Sequence, residues 1–176
     1  IRELSGSYHF NEVFITDVQV PDTARIGDVG QGWTVARTVL TSERSAIGGG
    51  TSARGASMLI DHAHRLGRAD DPLVRQELAS AYIRETLLDL LVGRLQTDRS
   101  VVAGGSVVKL LYSEHARQTA NSAMALLGAS SVAGGAAGFE VWAERFLFAP
   151  GLRIGGGTDE IQRNIIAQRG LGLPRG

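Results

Sequence analysis

The chain contains no cysteine, which excludes disulfides, thiolate chemistry and cysteine-based metal sites. It has no net charge either: 18 basic residues stand against 18 acidic ones. That balance offers no electrostatic footprint for nucleic acid or an anionic membrane, and neither partner is expected. No apolar run approaches the roughly 20 residues of a membrane span, and no signal peptide opens the sequence, so a soluble, cytoplasmic protein is the expectation. The four histidines form no metal-binding pattern. His62 and His64 are two apart, on different faces of a helix, and no metal is expected.

What is present is a chain of 176 residues, long enough for one domain with a sizeable core. It opens on Ile1 rather than methionine, as a fragment would. Residues 8–20 are rich in β-branched and aromatic side chains, among them Val13, Ile15, Val18 and Val20, and read as one or two strands closed by Pro21. So short a strand segment needs partners outside this chain. From residue 31 to about 66 the spacing turns helical, with Trp33, Ala36, Leu40, Glu43 and Ile47 along one stripe. Glu43 among aliphatic neighbours reads either as a partly buried carboxylate with a raised pKa or as an outward-turned side chain paired with an arginine. Gly48, Gly49 and Gly50 weaken the same helix, each by about 1 kcal/mol relative to alanine.

Asp71 and Pro72 supply an N-cap and a first-turn proline for a helix running to about residue 99. Its apolar surface is broad enough to touch more than one neighbour. Ser106 is the expected cap of a third long helix, 107–127, stopped by Gly128. Residues 129–138 read as a small-residue loop, and 139–148 as a short helix ended by Pro150. Three long helices and a shorter one predict an all-α, antiparallel up-and-down four-helix bundle with a short N-terminal β-strand segment.

Residues 154–164 run three glycines into a helix start. Glycines there provide positive φ and close approach to the backbone. Thr158 or Asp159 can cap the helix, and Asp159 with Gln162 has capping-box spacing. The acidic pair Asp159 and Glu160 suits the positive end of the helix dipole. By itself this is a tight loop-to-helix junction, or a turn made for a ligand.

The run from Gly155 to Arg175, Gly-Gly-Gly-Thr-Asp-Glu-Ile-Gln-Arg-Asn-Ile-Ile-Ala-Gln-Arg-Gly-Leu-Gly-Leu-Pro-Arg, resembles the C-terminal signature of acyl-CoA dehydrogenases. The phrase Asn-Glu-Val-Phe-Ile-Thr-Asp-Val-Gln-Val-Pro, residues 11–21, is similar to the end of that family's central β-domain. The resemblance implies that residues 1–30 are the tail of the middle domain with its linker, and 31–176 the C-terminal helical bundle. It implies FAD as cofactor, an acyl-CoA substrate oxidised to the trans-2-enoyl-CoA, an electron-transfer flavoprotein as electron acceptor, and a homo-oligomer, dimer or tetramer. Without its missing domains the fragment is expected to be inactive and to hold FAD weakly at most.

The same resemblance distributes roles. The glutamate that some members carry just before Gly-Thr is replaced here by Gly156. In others the base lies on the first bundle helix, ahead of an arginine, which here is Glu43 followed by Arg44; a base needs only to reach the α-carbon with suitable basicity. Arg44, Gly156 and Gly157 correspond to substrate positions, and Thr158, Asp159 and Glu160 to flavin positions. Two motifs depart from the family. Where Arg-x-Phe-Gly is usual the chain reads His-Arg-Leu-Gly-Arg, leaving Arg65 or Arg68 as substitutes. Where Gln-x-x-Gly-Gly is usual, Ala125 replaces the glutamine and only Gly128 is kept. Such departures fit an alternative, a partner subunit in a mixed assembly that shares flavin sites and acts on bulky acyl groups such as steroid side chains. A flavin-dependent hydroxylase of the same fold is a further alternative.

Overall fold

The computed structural model describes residues 1–49, 55–98, 100–133, 135 and 138–175, without the side chains of residues 41 and 44–49. Among the described residues seven α-helices follow one another: α1 (Gly32–Gly49), α2 (Ala56–Arg65), α3 (Pro72–Thr97), α4 (Gly104–Leu127), α5 (Ser130–Ala133), α6 (Phe139–Ile154) and α7 (Asp159–Ile165). Five π-helical residues, Ile166–Gly170, prolong α7. Helix α4 is central and packs on α1, α2, α3, α6 and α7. Among the described residues no helix is long and apolar enough to cross a membrane.

No strand forms among the described residues; the reading of residues 8–20 as strand required partners outside this chain. Val13, Phe14, Ile15, Val18 and Val20 are exposed. A strand gains its hydrogen bonds from a neighbour, and this segment has none to pair with. The helical pattern of residues 31–66 also divides into α1 and α2, and Gly50 lies outside the described residues. The second helix begins at a cap the sequence did not advertise. Glu85 of α3 accepts hydrogen bonds from the Gly55 and Ala56 N–H groups, both at 2.9 Å. His115 Nε2 lies 3.3 Å from the same carboxylate oxygen, and His115 Nδ1 lies 3.4 Å from Thr119 Oγ1. One tautomer serves both contacts, with Nε2–H donating to Glu85 and Nδ1 accepting from Thr119.

The α3 cap is the expected one: Asp71 Oδ1 accepts from Leu73 N at 2.9 Å with Pro72 in the first turn. Helix α4 starts earlier than expected, after Ala103 with φ 60°, and Ser106 is inside it. Gly104 permits this start, because a Cβ there would come within 2.3 Å of the Leu95 side chain on α3. Gly128 ends α4 as expected. A single turn, α5, forms within the predicted loop. Helix α6 runs through Pro150 to Ile154 rather than stopping near Phe148. Packing outweighs the lost backbone hydrogen bond: Ala149 is buried, and Leu152 lies against the Leu88, Val108 and Tyr112 cluster. The main core joins Leu59 and Ala63 of α2, Val74 and Leu78 of α3, Ala123 and Leu127 of α4, and Trp142 of α6.

Candidate functional site

The three glycines between α6 and α7 turn as their composition predicts. Gly156 and Gly157 have φ of 66° and 94°. At Gly157 the space is also closed, since a Cβ would stand 2.8 Å from Gln162 Nε2. Thr158 is the N-cap, its Oγ1 accepting from Ile161 N at 3.3 Å. Gln162 closes the turn by donating from Nε2 to the carbonyls of Gly156, at 2.9 Å, and Gly157, at 3.1 Å. No capping box forms, because Asp159 is the first helical residue and its carboxylate is committed elsewhere.

That carboxylate points into the bundle, 2 % exposed. Its Oδ1 accepts from Lys109 Nζ and Ser113 Oγ, each at 2.9 Å, and its Oδ2 from Arg153 Nε at 2.7 Å. Lys109, fully buried on α4, also donates to the Arg153 carbonyl at 3.1 Å. Burial pushes the Asp159 pKa up, but the hydrogen bonds from Lys109, Arg153 and Ser113 outweigh it and leave the pKa below the ordinary aspartate value. Asp159 is thus held as a carboxylate. Arg153 gains in the same exchange, its pKa raised by its bond to Asp159.

Thr158, Asp159 and Glu160 line one side of a groove of about 320 Å³, opposite Pro150, Arg153 and Ile154. The expected turn residues are therefore brought together. Glu43 is placed differently. It is exposed on α1, so the aliphatic burial read from the stripe does not occur in this chain. The Arg44 side chain lies outside the described residues. The neighbouring Ser42 lines a groove of about 620 Å³ where α1 faces the C-terminal segment, with Trp33, Thr34, Arg37, Thr38, Leu40, Ile165, Arg169 and Arg175. Three arginines thus line one groove beside the helix that carries Glu43, and sequence reading missed them because Arg169 and Arg175 are remote from α1 in sequence.

Arg68 and Ala125, the positions of the two altered motifs, line a single groove of about 560 Å³ between α3 and α4, together with Leu73, Gln76, Asn121 and Leu126. Arg68 is paired with Asp71 there, Nη2 to Oδ2 at 3.0 Å. Arg65 is exposed at the end of α2, and Gly128 is the C-cap of α4. Lys109 and Ser113 were not foreseen. Their signal was available: a lysine beside Val108, one helical turn before Tyr112 and Ser113, shares a face with residues that the bundle buries.

The domain family described as acyl-CoA dehydrogenase, C-terminal domain, matches residues 30–171. Over 99 % of its length the chain is 37 % identical to the acyl-CoA dehydrogenase IpdE1 of Mycolicibacterium smegmatis and covers 45 % of that protein. It is 36 % identical to the protein of the same name from Mycobacterium tuberculosis, covering 47 % of it. The chain therefore spans about half the length of these relatives. Among solved structures, it resembles one titled the ChsE4–ChsE5 complex from M. tuberculosis, with a TM-score of 0.75 and 27 % identity over 93 % of this chain and 45 % of that one. It also resembles the Tcur3481–Tcur3483 steroid ACAD, with a TM-score of 0.75 and 25 % identity over 100 % of this chain and 48 % of that one.

Proposed function

Because this chain belongs to the acyl-CoA dehydrogenase family as a C-terminal domain, we propose that the full-length polypeptide carrying it oxidises an acyl-CoA to the trans-2-enoyl-CoA. Glu43 is the base, and its carboxylate takes the α-proton. The observation that carries this reading is the groove beside α1, lined by Arg37 and Ser42 of that helix and by Arg169 and Arg175 of the C-terminal segment, with Ser42 next to Glu43 in sequence. Guanidinium groups on an open groove suit the phosphates of a CoA thioester, and the chain's zero net charge makes their local clustering the more telling. Exposure of Glu43 keeps it accessible to substrate.

Two features of the chain fit FAD. The positive-φ turn at Gly156 and Gly157 leads into Thr158 and Glu160, which line a groove, and Gln76 and Asn121 line the α3/α4 groove beside Leu73, Val74 and Leu126. Bound FAD supplies the acceptor for the hydride that leaves the β-carbon as the α-proton goes to Glu43. The turn would orient the thioester, Arg44 and the groove arginines would hold the CoA, and Thr158 and Glu160 would contact the flavin, with Gly128, Arg65 and Arg68 the residues that would hold a flavin of a neighbouring subunit. Electrons then pass to an electron-transfer flavoprotein in the cytoplasm. Helices α1 with α2, α3, α4 and α6 form the antiparallel up-and-down bundle at the centre of a dimer or tetramer, and residues 8–20 pair as strand with the domain that precedes them.

A second reading makes the chain a partner subunit of a mixed assembly. Ala125 at the missing glutamine position favours it, as does the likeness to the two-protein ChsE4–ChsE5 complex. The deciding experiment is an anaerobic titration of the full-length polypeptide with acyl-CoAs, including steroid-derived ones suggested by the steroid ACAD likeness. Bleaching of the flavin band that is lost in Glu43→Gln with FAD retained is the expected outcome. Equal bleaching in the variant removes Glu43 as base, and bleaching only after a second subunit is added selects the mixed assembly.

A further inference from the structure

Lys109 is the chain's only lysine, and it is fully buried. Its ammonium bridges two elements that the glycine turn separates. One bond goes to the Arg153 carbonyl in the last turn of α6, a group that the helix itself leaves unsatisfied. The other goes to Asp159, the first residue of α7. Ser113, one turn further along α4, adds a second donor to the same carboxylate oxygen. Arg153 closes the circuit from α6 to α7 through Asp159 Oδ2. Both ends of the 155–158 turn are therefore tied to one point on α4, while the glycines between them have no side chains with which to hold a position.

We propose that Lys109, acting through Asp159 and the Arg153 carbonyl, is the positioning residue of the 155–158 turn, with Ser113 and Arg153 as its auxiliaries. Asp159 then serves as the anchor of the clamp, 2 % exposed and held by Lys109, Ser113 and Arg153. The functional meaning rests on the reading of this turn as the flavin and thioester face. A glycine turn is soft, and a reacting group displaced by about 1 Å can lose roughly a hundredfold in rate. Tying the turn to the central helix of the fold removes that softness without placing a side chain in the ligand's path.

The test compares the full-length polypeptide with Lys109→Met, and with Lys109→Met combined with Asp159→Leu. The double variant removes both buried charges together, so that no lone ion is left to unfold the core. Hydrogen exchange is followed at the Gly155, Ile161 and Gln162 amides, each hydrogen-bonded at an edge of the turn. The flavin absorbance band and kcat and KM are recorded beside it. The expected result is exchange faster by about tenfold or more at these amides, with α3 unchanged, a shifted flavin band, and a fall in kcat greater than any change in KM. Unchanged exchange in both variants overturns the clamp. Faster exchange with the flavin band and kcat of the wild type overturns its positioning role. If the wild type holds no flavin, the dehydrogenase reading fails, and the exchange comparison alone decides the clamp.

Discussion

Asp159 reaches the 155–158 turn already holding three side-chain partners, whereas Glu43 on α1 stands in solvent. Both belong to the expected site. The difference matches the role proposed for each. An anchor works by being immobile, so its charge is desolvated, paired and hydrogen-bonded within the chain. A proton acceptor has to meet a substrate carbon, so its carboxylate cannot be consumed by internal partners. The anchor's partners lie within this chain, while Glu43 is left exposed on α1.

The largest expected effect tests the open side of that comparison. Glu43→Gln should lower kcat by about 10²- to 10⁴-fold while leaving the melting temperature of the full-length polypeptide within error, as exposed substitutions usually do. A matching loss of stability would mean that Glu43 is a packing residue. On the closed side, Lys109→Met should cost about 3–5 kcal/mol in chemical denaturation, because it leaves a buried carboxylate short of its main partner. The double variant with Asp159→Leu should recover most of that loss. Gly157→Ala comes next, at about 1–3 kcal/mol, from a strained positive φ and a Cβ driven against Gln162. It should slow the reaction as well, which Gly30→Ala, also at positive φ but with open space around it, should not.

The smallest effect separates the two regions by pH. His62 and His115 have pKa values lowered chiefly by burial, with Arg65 adding to the effect at His62 and Glu85 opposing it at His115. The unfolded chain therefore binds protons that the folded one refuses, so stability falls as pH drops below about 6.5. His62, fully buried with neither ring nitrogen hydrogen-bonded and 6.1 Å from the Trp142 ring centroid, should carry part of this loss. Replacing it by methionine should flatten the stability curve between pH 6.5 and 5. Asp159 acts in a separate window. Its lowered pKa adds stability above the ordinary aspartate value of 3.8 that is lost as the carboxylate is protonated below it. An Asp159→Asn variant should lose the second window and keep the first.

The local chemistry of this protein is written in its sequence. The Asp71 cap with Pro72, the stop at Gly128, and the positive φ of Gly156 and Gly157 depend on residues adjacent along the chain, whose preferences act whatever surrounds them. So do the helical periodicities behind α1, α3 and α4. Tertiary structure decided the rest, through groups far apart in sequence. Glu85 caps α2 from another helix, Leu152 draws α6 past its proline, and residues 8–20 form no ladder among the described residues because a ladder needs a second strand. Lys109 meets Asp159 across 50 positions, and Arg169 joins Arg37 only after the C-terminal segment folds against α1. A charge among apolar residues shows in the sequence only that it must find a partner. Which partner it finds, and hence whether it locks a turn or waits for a substrate, is fixed by how the helices pack.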